Sequence, residues 1–338
     1  MKPNQPSTLG RALHGFFADY LPRQRAMSPH TLQSYRDGIK LLLRFVAGKN
    51  GDPSSLPPEA LTVERITAFL QHLESGRHNQ PATRNVRLSA IHSFFRYLAR
   101  ENPEYVRQSQ CILGIPFKRI CTREIQHLDF DEIHAVIAAI DRAHANGLRD
   151  RALLSLMFNT GARASEIVGL QTSDFRLASL PSVLLRGKGQ KERTCPLWPE
   201  TANLLRELTE QQGLTASRPA AIFRNHRGAP LTRFGIRLVL KKYVRKASEQ
   251  QPSLKRKRLH PHSLRHSAAI HLLRSGVDIS TIAHWLGHAS LNTTNRYLTI
   301  DLEAKREALE KAQPLVTKNG SQRKWRKKPD LIAWLESL

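Results

Sequence analysis

Residues 28–48 (SPHTLQSYRDGIKLLLRFVAG) carry a complete set of local signals for an amphipathic helix. Ser28 is a good N-cap, Pro29 suits the first helical position, and Gly48 favours termination of the helix. Apolar residues recur between these ends at spacings of three and four: Leu32, Tyr35, Ile39, Leu42 and Val46. Such a helix gains most of its stability by packing its apolar face, so this segment predicts a domain of several packed helices.

Three further stretches of the first hundred residues repeat the pattern: LGRALHGFFADYL, TVERITAFLQHLES and PATRNVRLSAIHSFFRYLAREN. We therefore expect residues 1–105 to form a compact bundle of about four helices. The last stretch also carries Arg84, Arg87 and Arg96, largely away from its apolar side. We expect these arginines to form a solvated face, with contact to phosphate groups as the alternative.

Beyond the bundle, the segment between Asn102 and Gln126 loses helical periodicity, and we interpret residues 106–126 as a linker. Residues 127–312 mix helices with short strands, which predicts a second domain. Its first helix should be capped by Asp129. The other predicted elements are helices around 149–170, 199–212 and 232–247 and strands near 182–186 and 192–197. The predicted fold class is mainly α, with a small β-sheet in the second domain.

The C-terminal residues, 313–338, form a polar and basic tail that contains RKWRKK and ends in the apolar-patterned DLIAWLESL. This ending could be a short amphipathic helix that docks on its own chain or on a neighbouring protomer. The sequence leaves both possibilities open.

The chain is strongly basic, and this restricts its partners. It has 53 Lys and Arg against 28 Asp and Glu, a formal net charge of +25, with 40% hydrophobic residues. Nucleic acid is the polyanion that best suits such a globular protein. An anionic membrane is the competing partner, but the sequence shows neither an apolar run of transmembrane length nor the apolar core of a signal peptide. We therefore expect a soluble, cytoplasmic protein.

The cysteines give no sign of a metal site or a disulfide framework. Cys111, Cys121 and Cys195 are too few and too far apart for either, so we interpret them as incidental reduced thiols. A second metal hypothesis comes from RLHPHSLRHSAAIHLL, in which His262 and His266 share one helix face. A zinc-protease site would need a glutamate where Ser263 stands, so we expect no metal here.

Four stretches of the second domain offer groups that bind phosphate or act as nucleophiles. NTGARASEIVGL places Arg163 near a helix N-terminus, with an ion pair to Glu166 as the structural alternative. LLRGKGQKERTCPL predicts a hairpin that projects Lys188 from its tip, where a lysine is usually just solvated. LHPHSLRH places His262 and Arg265 three residues apart on one face, and WLGHASLNTTNRYL contributes His288 and Tyr297.

Taken together, these motifs closely resemble those of the tyrosine recombinases, also called the phage integrase family. The motifs read T-G-x-R-x-S-E, G-K-G-x-K-x-R, H-x-x-R-H and L-G-H-x-S-x-x-T-T-x-x-Y, and all are intact. The resemblance covers nearly the whole chain. It implies a helical DNA-clamping domain, a linker and a catalytic domain that cleaves double-stranded DNA at a specific site.

The resemblance also implies a role for each motif residue. Tyr297 would attack a DNA phosphate to give a 3′-phosphotyrosine and a free 5′-hydroxyl. Arg163 and Arg265 would hold the scissile phosphate, and Lys188 would protonate the leaving 5′-oxygen, with Lys191 as the competing lysine. The remaining assignments are His262 as base or hydrogen-bonding partner of the tyrosine, His288 as a phosphate ligand, Glu166 as the group that orients Arg163, and His266 and His271 as packing or supporting residues.

No cofactor is expected, because the protein–DNA ester conserves the bond energy and no Walker-type glycine loop is present. Exchange of two duplexes implies a homotetramer on DNA, and the need for an accessory protein stays open. The biological role also stays open between integration, excision or transposition of a mobile element, which the basic tail favours, and the resolution of chromosome dimers. Two other hypotheses are a type IB topoisomerase and a DNA-binding protein without catalysis.

Overall fold

The computed structural model describes residues 8–120, 125–187, 191–214, 219–288 and 291–298. The chain divides into two compact units, residues 1–123 and 124–338. Both are mainly helical, and the second contains a small sheet, so the predicted fold class is confirmed. In the part of the chain described here, no helix is both long and apolar enough to span a lipid bilayer.

The first unit is a bundle of helices. Its elements are α1 (Thr8–Gly15), a π-helical segment (Phe16–Gln24), α2 (Pro29–Ala47), α3 (Val63–Ser75), α4 (Pro81–Glu101) and α5 (Val106–Leu113). The signals read at both ends of α2 are confirmed. The Ser28 hydroxyl accepts from the Thr31 N–H over 3.3 Å, and Gly48 follows the last turn at φ 71°. The core comes from the apolar faces of these helices, with α4 at its centre.

Two of the three α4 arginines differ from the prediction of a solvated face. Arg84 is only 6% exposed and donates to the Pro116 carbonyl over 3.0 Å, while half-buried Arg87 donates to the Ser34 carbonyl over 2.8 Å. Each thus ties α4 to another segment of its unit. Arg96 is exposed as predicted.

The predicted linker is wrong in its first half. Residues 106–113 form helix α5, and Tyr105, Ile112 and Ile115 are buried in the core of the first unit. The helix has only two turns, which is too short for a periodic pattern to stand out in the sequence. The first compact unit therefore continues past residue 105, and residues 121–124 of the predicted linker lie outside the described residues.

The second unit contains eight helices among its described residues: α6 (Phe130–Ala138), α7 (Gly147–Thr160), α8 (Ala164–Val168), α9 (Pro199–Gln211), α10 (Arg233–Ala247), α11 (Pro261–Arg274), α12 (Ile279–Leu286) and α13 (Leu291–Leu298). Asp129 lies at the N-cap of α6, where its N–H donates to the Glu132 carboxylate over 2.9 Å, so the predicted start of this helix is confirmed. The C-terminal tail, 313–338, lies outside the described residues.

The sheet of the second unit has three antiparallel strands in the order β1-β2-β3: β1 (Phe175–Arg176), β2 (Ser182–Arg186) and β3 (Glu192–Pro196). The predicted hairpin is β2–β3, in which Val183 pairs with Cys195 and Arg186 with Glu192. Strand β1 was not predicted, since two residues are too few for an alternating pattern.

Helix α7 is the central element of this unit and sets the position of the site. Eleven of its fourteen residues are buried, and it packs against α9 and α11. The C-terminal end of α7 therefore lies beside α11, which carries the His-rich motif. A helix buried on all sides has little freedom to shift, so it is a rigid support for the residues that follow it.

Candidate active site

Arg163 enters the site from the junction between α7 and α8. Gly161 ends α7 in the left-handed conformation, with φ +60°, and Arg163 is the N-cap residue of α8. The backbone N–H of Arg163 donates to Glu166 Oε2 over 2.8 Å, and its Nη1 donates to Oε1 over 2.9 Å. The Arg163 side chain is 34% exposed, whereas that of Glu166 is 1% exposed. Glu166 thus holds a guanidinium that still reaches solvent.

Arg193 belongs to the same cluster, and sequence reasoning gave it no role. Its Nη1 and Nη2 donate to the Glu166 carboxylate over 3.1 and 2.8 Å, and its Nε donates to the Trp285 carbonyl over 2.8 Å. Burial raises the pKa of Glu166, but the bonds from Arg193 and Arg163 outweigh it and hold that pKa below its usual range. The carboxylate is therefore ionised and shared by two arginines. Arg193 is the last residue of the G-K-G-x-K-x-R motif, and this position is the signal by which the sequence could have identified it as a site residue.

Arg265 is anchored from both sides by the ends of two helices. Its Nη1 donates to the Gly161 carbonyl after α7 over 2.8 Å, and its Nη2 donates to the Leu286 carbonyl at the end of α12 over 2.6 Å. The residue is 1% exposed. Burial, followed by the charge of Arg163, lowers the pKa of Arg265 to about 10, so it stays charged at neutral pH.

Tyr297, on α13, is 2% exposed and packs against α11 and α12. Its hydroxyl lies 2.9 Å from Nδ1 of His266. His266 was interpreted as a packing or supporting residue, and the structure brings it into direct contact with the predicted nucleophile. His271, by contrast, stacks on Phe130 at a ring separation of 5.2 Å, which agrees with packing.

His262 lies one helical turn before His266, and the two rings are 5.0 Å apart. His262 is exposed at the surface of the site. Loss of hydration on the protein side of the ring and the charge of Arg265 lower the pKa of His262. Its imidazole is therefore neutral at neutral pH and can accept or donate a hydrogen bond.

His288 follows α12 and is oriented by a side chain that the sequence reading had not singled out. Its Nδ1 lies 2.7 Å from the hydroxyl of Thr294, which is fully buried. Burial, followed by the charges of Arg265 and Arg163, lowers the pKa of His288 to about 4. His288 is thus neutral at neutral pH. If the Thr294 hydroxyl donates to Nδ1, the ring carries its proton on Nε2. Thr294 is the second threonine of the T-T-x-x-Y motif.

Lys188 lies outside the described residues, as do Gly189 and Gln190. The residues on either side of them are described. The Gly187 N–H donates to the Lys191 carbonyl over 2.7 Å. A Cβ atom added to Gly187 would lie 3.3 Å from Glu166 Oε1 and 4.0 Å from Arg163 Nη1. The base of the hairpin loop is therefore next to the arginine cluster, and a side chain larger than hydrogen would crowd it.

The described residues bring together three arginines, one buried carboxylate, three histidines and a tyrosine hydroxyl. The cluster has a net positive charge and suits an anionic ligand with a tetrahedral centre, because guanidinium groups match phosphate oxygens. The phenol beside an imidazole has the geometry of a nucleophile with its base. Among the described side chains, no group of three His, Cys, Asp or Glu is placed to hold a metal ion.

Comparison with known proteins supports the resemblance to the phage integrase family. The family model described as "Phage integrase family" matches residues 126–303, and that described as "Phage integrase, N-terminal SAM-like domain" matches residues 16–102. The chain is 40% identical over 334 residues to y4rC of Sinorhizobium fredii (strain NGR234), a protein named as an integrase/recombinase. That match covers 98% of this chain and 99% of the relative.

Two further similarities concern proteins of the Xer type. The tyrosine recombinase XerC of Pelobacter propionicus is 32% identical, over 88% of this chain and 94% of the relative. Among solved structures, the XerH site-specific recombinase bound to its difH substrate is similar at 25% identity and a TM-score of 0.58, over 75% of this chain and 71% of that one. The chain belongs to the phage integrase family and is a tyrosine recombinase, an enzyme class that transfers DNA strands by transesterification through a tyrosine.

Proposed function

We propose that this protein is a site-specific recombinase that cleaves and rejoins double-stranded DNA through a 3′-phosphotyrosine on Tyr297. The observation that carries the proposal is the placement of the Tyr297 hydroxyl, which is bonded to an imidazole on the helix that also carries Arg265. A phenol is a poor nucleophile at neutral pH unless a base takes its proton and cations stabilise the product. The imidazole can take the proton, and the guanidinium groups of Arg163 and Arg265 can stabilise the negative charge.

In this proposal, Arg163 and Arg265 bind the non-bridging oxygens of the scissile phosphate. Charge gathers on these oxygens in the transition state, and fixed guanidinium groups stabilise it without reorganising. Neutral His288 donates a further hydrogen bond to the phosphate, and His262 supplies another at the exposed side of the site. Lys188, which follows Gly187 in the sequence, protonates the leaving 5′-oxygen.

Cleavage requires a movement that exposes the nucleophile. Tyr297 and Arg265 are 2% and 1% exposed, so a DNA phosphate cannot reach them in the conformation described here. Helix α13 has only eight residues, so its displacement disrupts fewer contacts than displacement of the buried α7. We therefore propose that DNA binding shifts α13 and presents Tyr297 to the phosphate.

The proposed assembly follows from the number of bonds to be broken. Two duplexes that exchange both strands present four cleavage sites, and one tyrosine per protomer implies a homotetramer on DNA. The first unit would clamp the DNA together with the catalytic domain, and the net charge of +25 would steer both to the phosphate backbone. The proposed biological role is integration, excision or transposition of a mobile element, in the cytoplasm where the DNA lies.

Covalent capture tests the proposal. Duplexes taken from the DNA that neighbours the coding region are tested, each with a nick beside the position under test, so that cleavage there releases a short fragment and traps the ester. Wild-type protein should give an adduct that survives denaturing electrophoresis. Tyr297→Phe should bind the same duplex almost normally in a gel-shift assay and give no adduct. DNA binding by the wild type with no adduct on any such duplex would favour an architectural DNA-binding protein instead.

The products separate the remaining alternatives. A recombinase joins strands from two duplexes, whereas a type IB topoisomerase relaxes supercoiled plasmid without exchanging strands. Exchange between the two ends of the surrounding element supports the role in a mobile element. Exchange only between two copies of a single chromosomal site would support resolution of chromosome dimers.

A further inference from the structure

The second unit carries an apolar groove that takes no part in the proposed chemistry. Helices α6, α7, α9 and α11 line it, and its volume is about 620 Å³. Its lining includes a cluster of aromatic rings: Phe130, Phe158, Trp198 and His271. Phe130 and Trp198 are 50% and 39% exposed. Large apolar side chains that stay exposed around a groove are typical of a surface that binds another segment or protein.

We propose that residues 330–338 (DLIAWLESL) of the same chain dock in this groove. The segment lies outside the described residues, so the argument for it comes from its sequence. Its apolar residues fall on one face of a helix: Leu331, Ile332, Trp334, Leu335 and Leu338. A helix of nine residues is too short to be stable alone in water, so it needs an apolar surface to pack against.

The charge of the segment suits a protein surface better than DNA. The whole chain has 53 Lys and Arg against 28 Asp and Glu, yet residues 330–338 contain two acidic residues, Asp330 and Glu336, and no basic residue. The phosphates of DNA would repel such a segment. In the groove, Arg151 offers a cation to these carboxylates, with Glu200 as the opposing charge in the lining.

The segment is attached to the second unit near the groove. His271 in the groove wall is five residues after His266, about 7.5 Å along α11, and His266 contacts Tyr297 on α13. Residues 299–329 join α13 to the segment, and a chain of that length would span about 30 Å if it were flexible. Such a tether keeps the segment at an effective concentration on the order of millimolar. Docking on its own chain is therefore favoured over docking on a second protomer.

The contact adds to the catalytic domain that the family shares. The match to the family model ends at residue 303, well before the segment begins. Docking would cover Phe130 and Trp198 in the free protein, which would otherwise leave an apolar surface open to unspecific association. The proposal does not depend on the proposed function.

Photo-crosslinking of the full chain tests the proposal. Benzoylphenylalanine replaces Trp334, an aromatic residue for an aromatic residue, and unlabelled and ¹⁵N-labelled protein are mixed in equal amounts and irradiated without DNA. Mass spectrometry should show crosslinks from position 334 to peptides of the groove, with the same label on both peptides of each crosslink. The probe at Trp325, within RKWRKK, is the control and should give about tenfold fewer groove crosslinks, because this basic stretch stays hydrated.

A variant of the groove provides a second measurement. Ala138 lines the groove and is exposed on α6, so Ala138→Glu places a charge there without altering the core. Crosslinking from position 334 should fall by about tenfold, because docking would bury that charge unpaired. Ala145→Glu, in the loop after α6, is equally exposed and should crosslink like the wild type. Both variants should bind DNA normally, which shows that they fold.

Three results would overturn the proposal. Crosslinks between peptides of different label would place the segment on a neighbouring protomer. Crosslinks only to other surfaces of the chain, or none, would show that the segment does not occupy the groove. Equal yields from Ala138→Glu and the wild type would show that the contact lies elsewhere.

Discussion

Arg193 donates two hydrogen bonds, of 3.1 and 2.8 Å, to the same buried carboxylate, that of Glu166, which orients Arg163. Two cations thus share one anion. The arrangement leaves the cluster with a net positive charge, since Arg193 offsets much of the negative charge of Glu166. Arg163 then keeps its attraction for a phosphate while its position is fixed.

Replacement of Arg193 by Met should therefore slow cleavage more than it weakens DNA binding. Without Arg193, Glu166 pairs with Arg163 alone and reduces its pull on the phosphate. We expect a loss of roughly 10–100-fold in single-turnover cleavage, the usual scale for a residue that positions a functional group. Arg142→Met removes a surface ion pair with Glu207 and is the control.

A neutral substrate separates this electrostatic effect from a structural one. A methylphosphonate at the scissile position lacks one charged oxygen, so it depends less on the charge of Arg163. The defect of Arg193→Met should be smaller on this substrate than on the ordinary phosphodiester. Equal defects on both would mean that Arg193 only holds the fold together.

Gly161 is required both for its backbone conformation and for space. It adopts φ +60°, and a Cβ atom there would overlap Leu286 Cδ2. Gly161→Ala should lower the free energy of unfolding by about 1–3 kcal/mol through strain, with a further loss from the overlap. The Gly161 carbonyl also accepts from Arg265, so cleavage should fall too.

Gly213→Ala is the matched control for this change. Gly213 has nearly the same φ, +62°, but among the described residues, apart from its chain neighbours, no atom lies within 4 Å of the added Cβ. Chemical denaturation of both variants separates strain from overlap. If both lose the same stability and both cleave normally, the account of Gly161 as a support for Arg265 is wrong.

The assignment of Lys188 over Lys191 as the general acid is tested with a 5′-bridging phosphorothiolate. A thiolate leaves without being protonated, so loss of the true acid is rescued on this substrate. We expect Lys188→Ala to cleave the ordinary substrate about 10²–10⁴-fold more slowly and to regain most of the rate with sulfur. Arg265→Ala should show no such rescue. Rescue of Lys191→Ala alone would assign the role of general acid to Lys191.

The lowered pKa of His288 predicts a stability change in acid. The unfolded chain takes up a proton on this residue near pH 6.5, whereas the folded protein does so only near its pKa of about 4. The free energy of unfolding should therefore fall as the pH drops from about 6.5 to about 4 and be insensitive to His288 above that window. Urea denaturation of His288→Gln should show a shallower fall than the wild type. An equal fall in the free energy of unfolding for the wild type and His288→Gln would contradict the lowered pKa of His288.

Much of the fold was predictable because its signals are local. Ser28, Asp129 and Thr232 cap the helices that follow them, and the glycines after β2 mark the hairpin. Helix α5 and strand β1 were missed because short elements are selected by tertiary packing. Arg84 was misjudged for a related reason, since its burial depends on the Pro116 carbonyl, which is 32 residues away.

The site was predictable as a set of residues but not as a set of contacts. The motif spacings single out Arg163, Arg265, His288 and Tyr297 as candidates. They do not show which of His262 and His266 meets a hydroxyl from α13, because both share one face of α11. The roles of Arg193 and Thr294 depend in the same way on buried partners that only the folded chain brings close.

Mass spectrometry of the trapped adduct tests the central claim most directly. Cleavage after Arg296 and Lys305 releases Tyr297 in the peptide YLTIDLEAK, which contains one tyrosine. Nuclease and trypsin digestion of the wild-type adduct should yield this peptide with a nucleotide attached to the tyrosine through its 3′-phosphate. Attachment to any other peptide, or through a 5′-phosphate, would contradict the account of Tyr297 as the nucleophile.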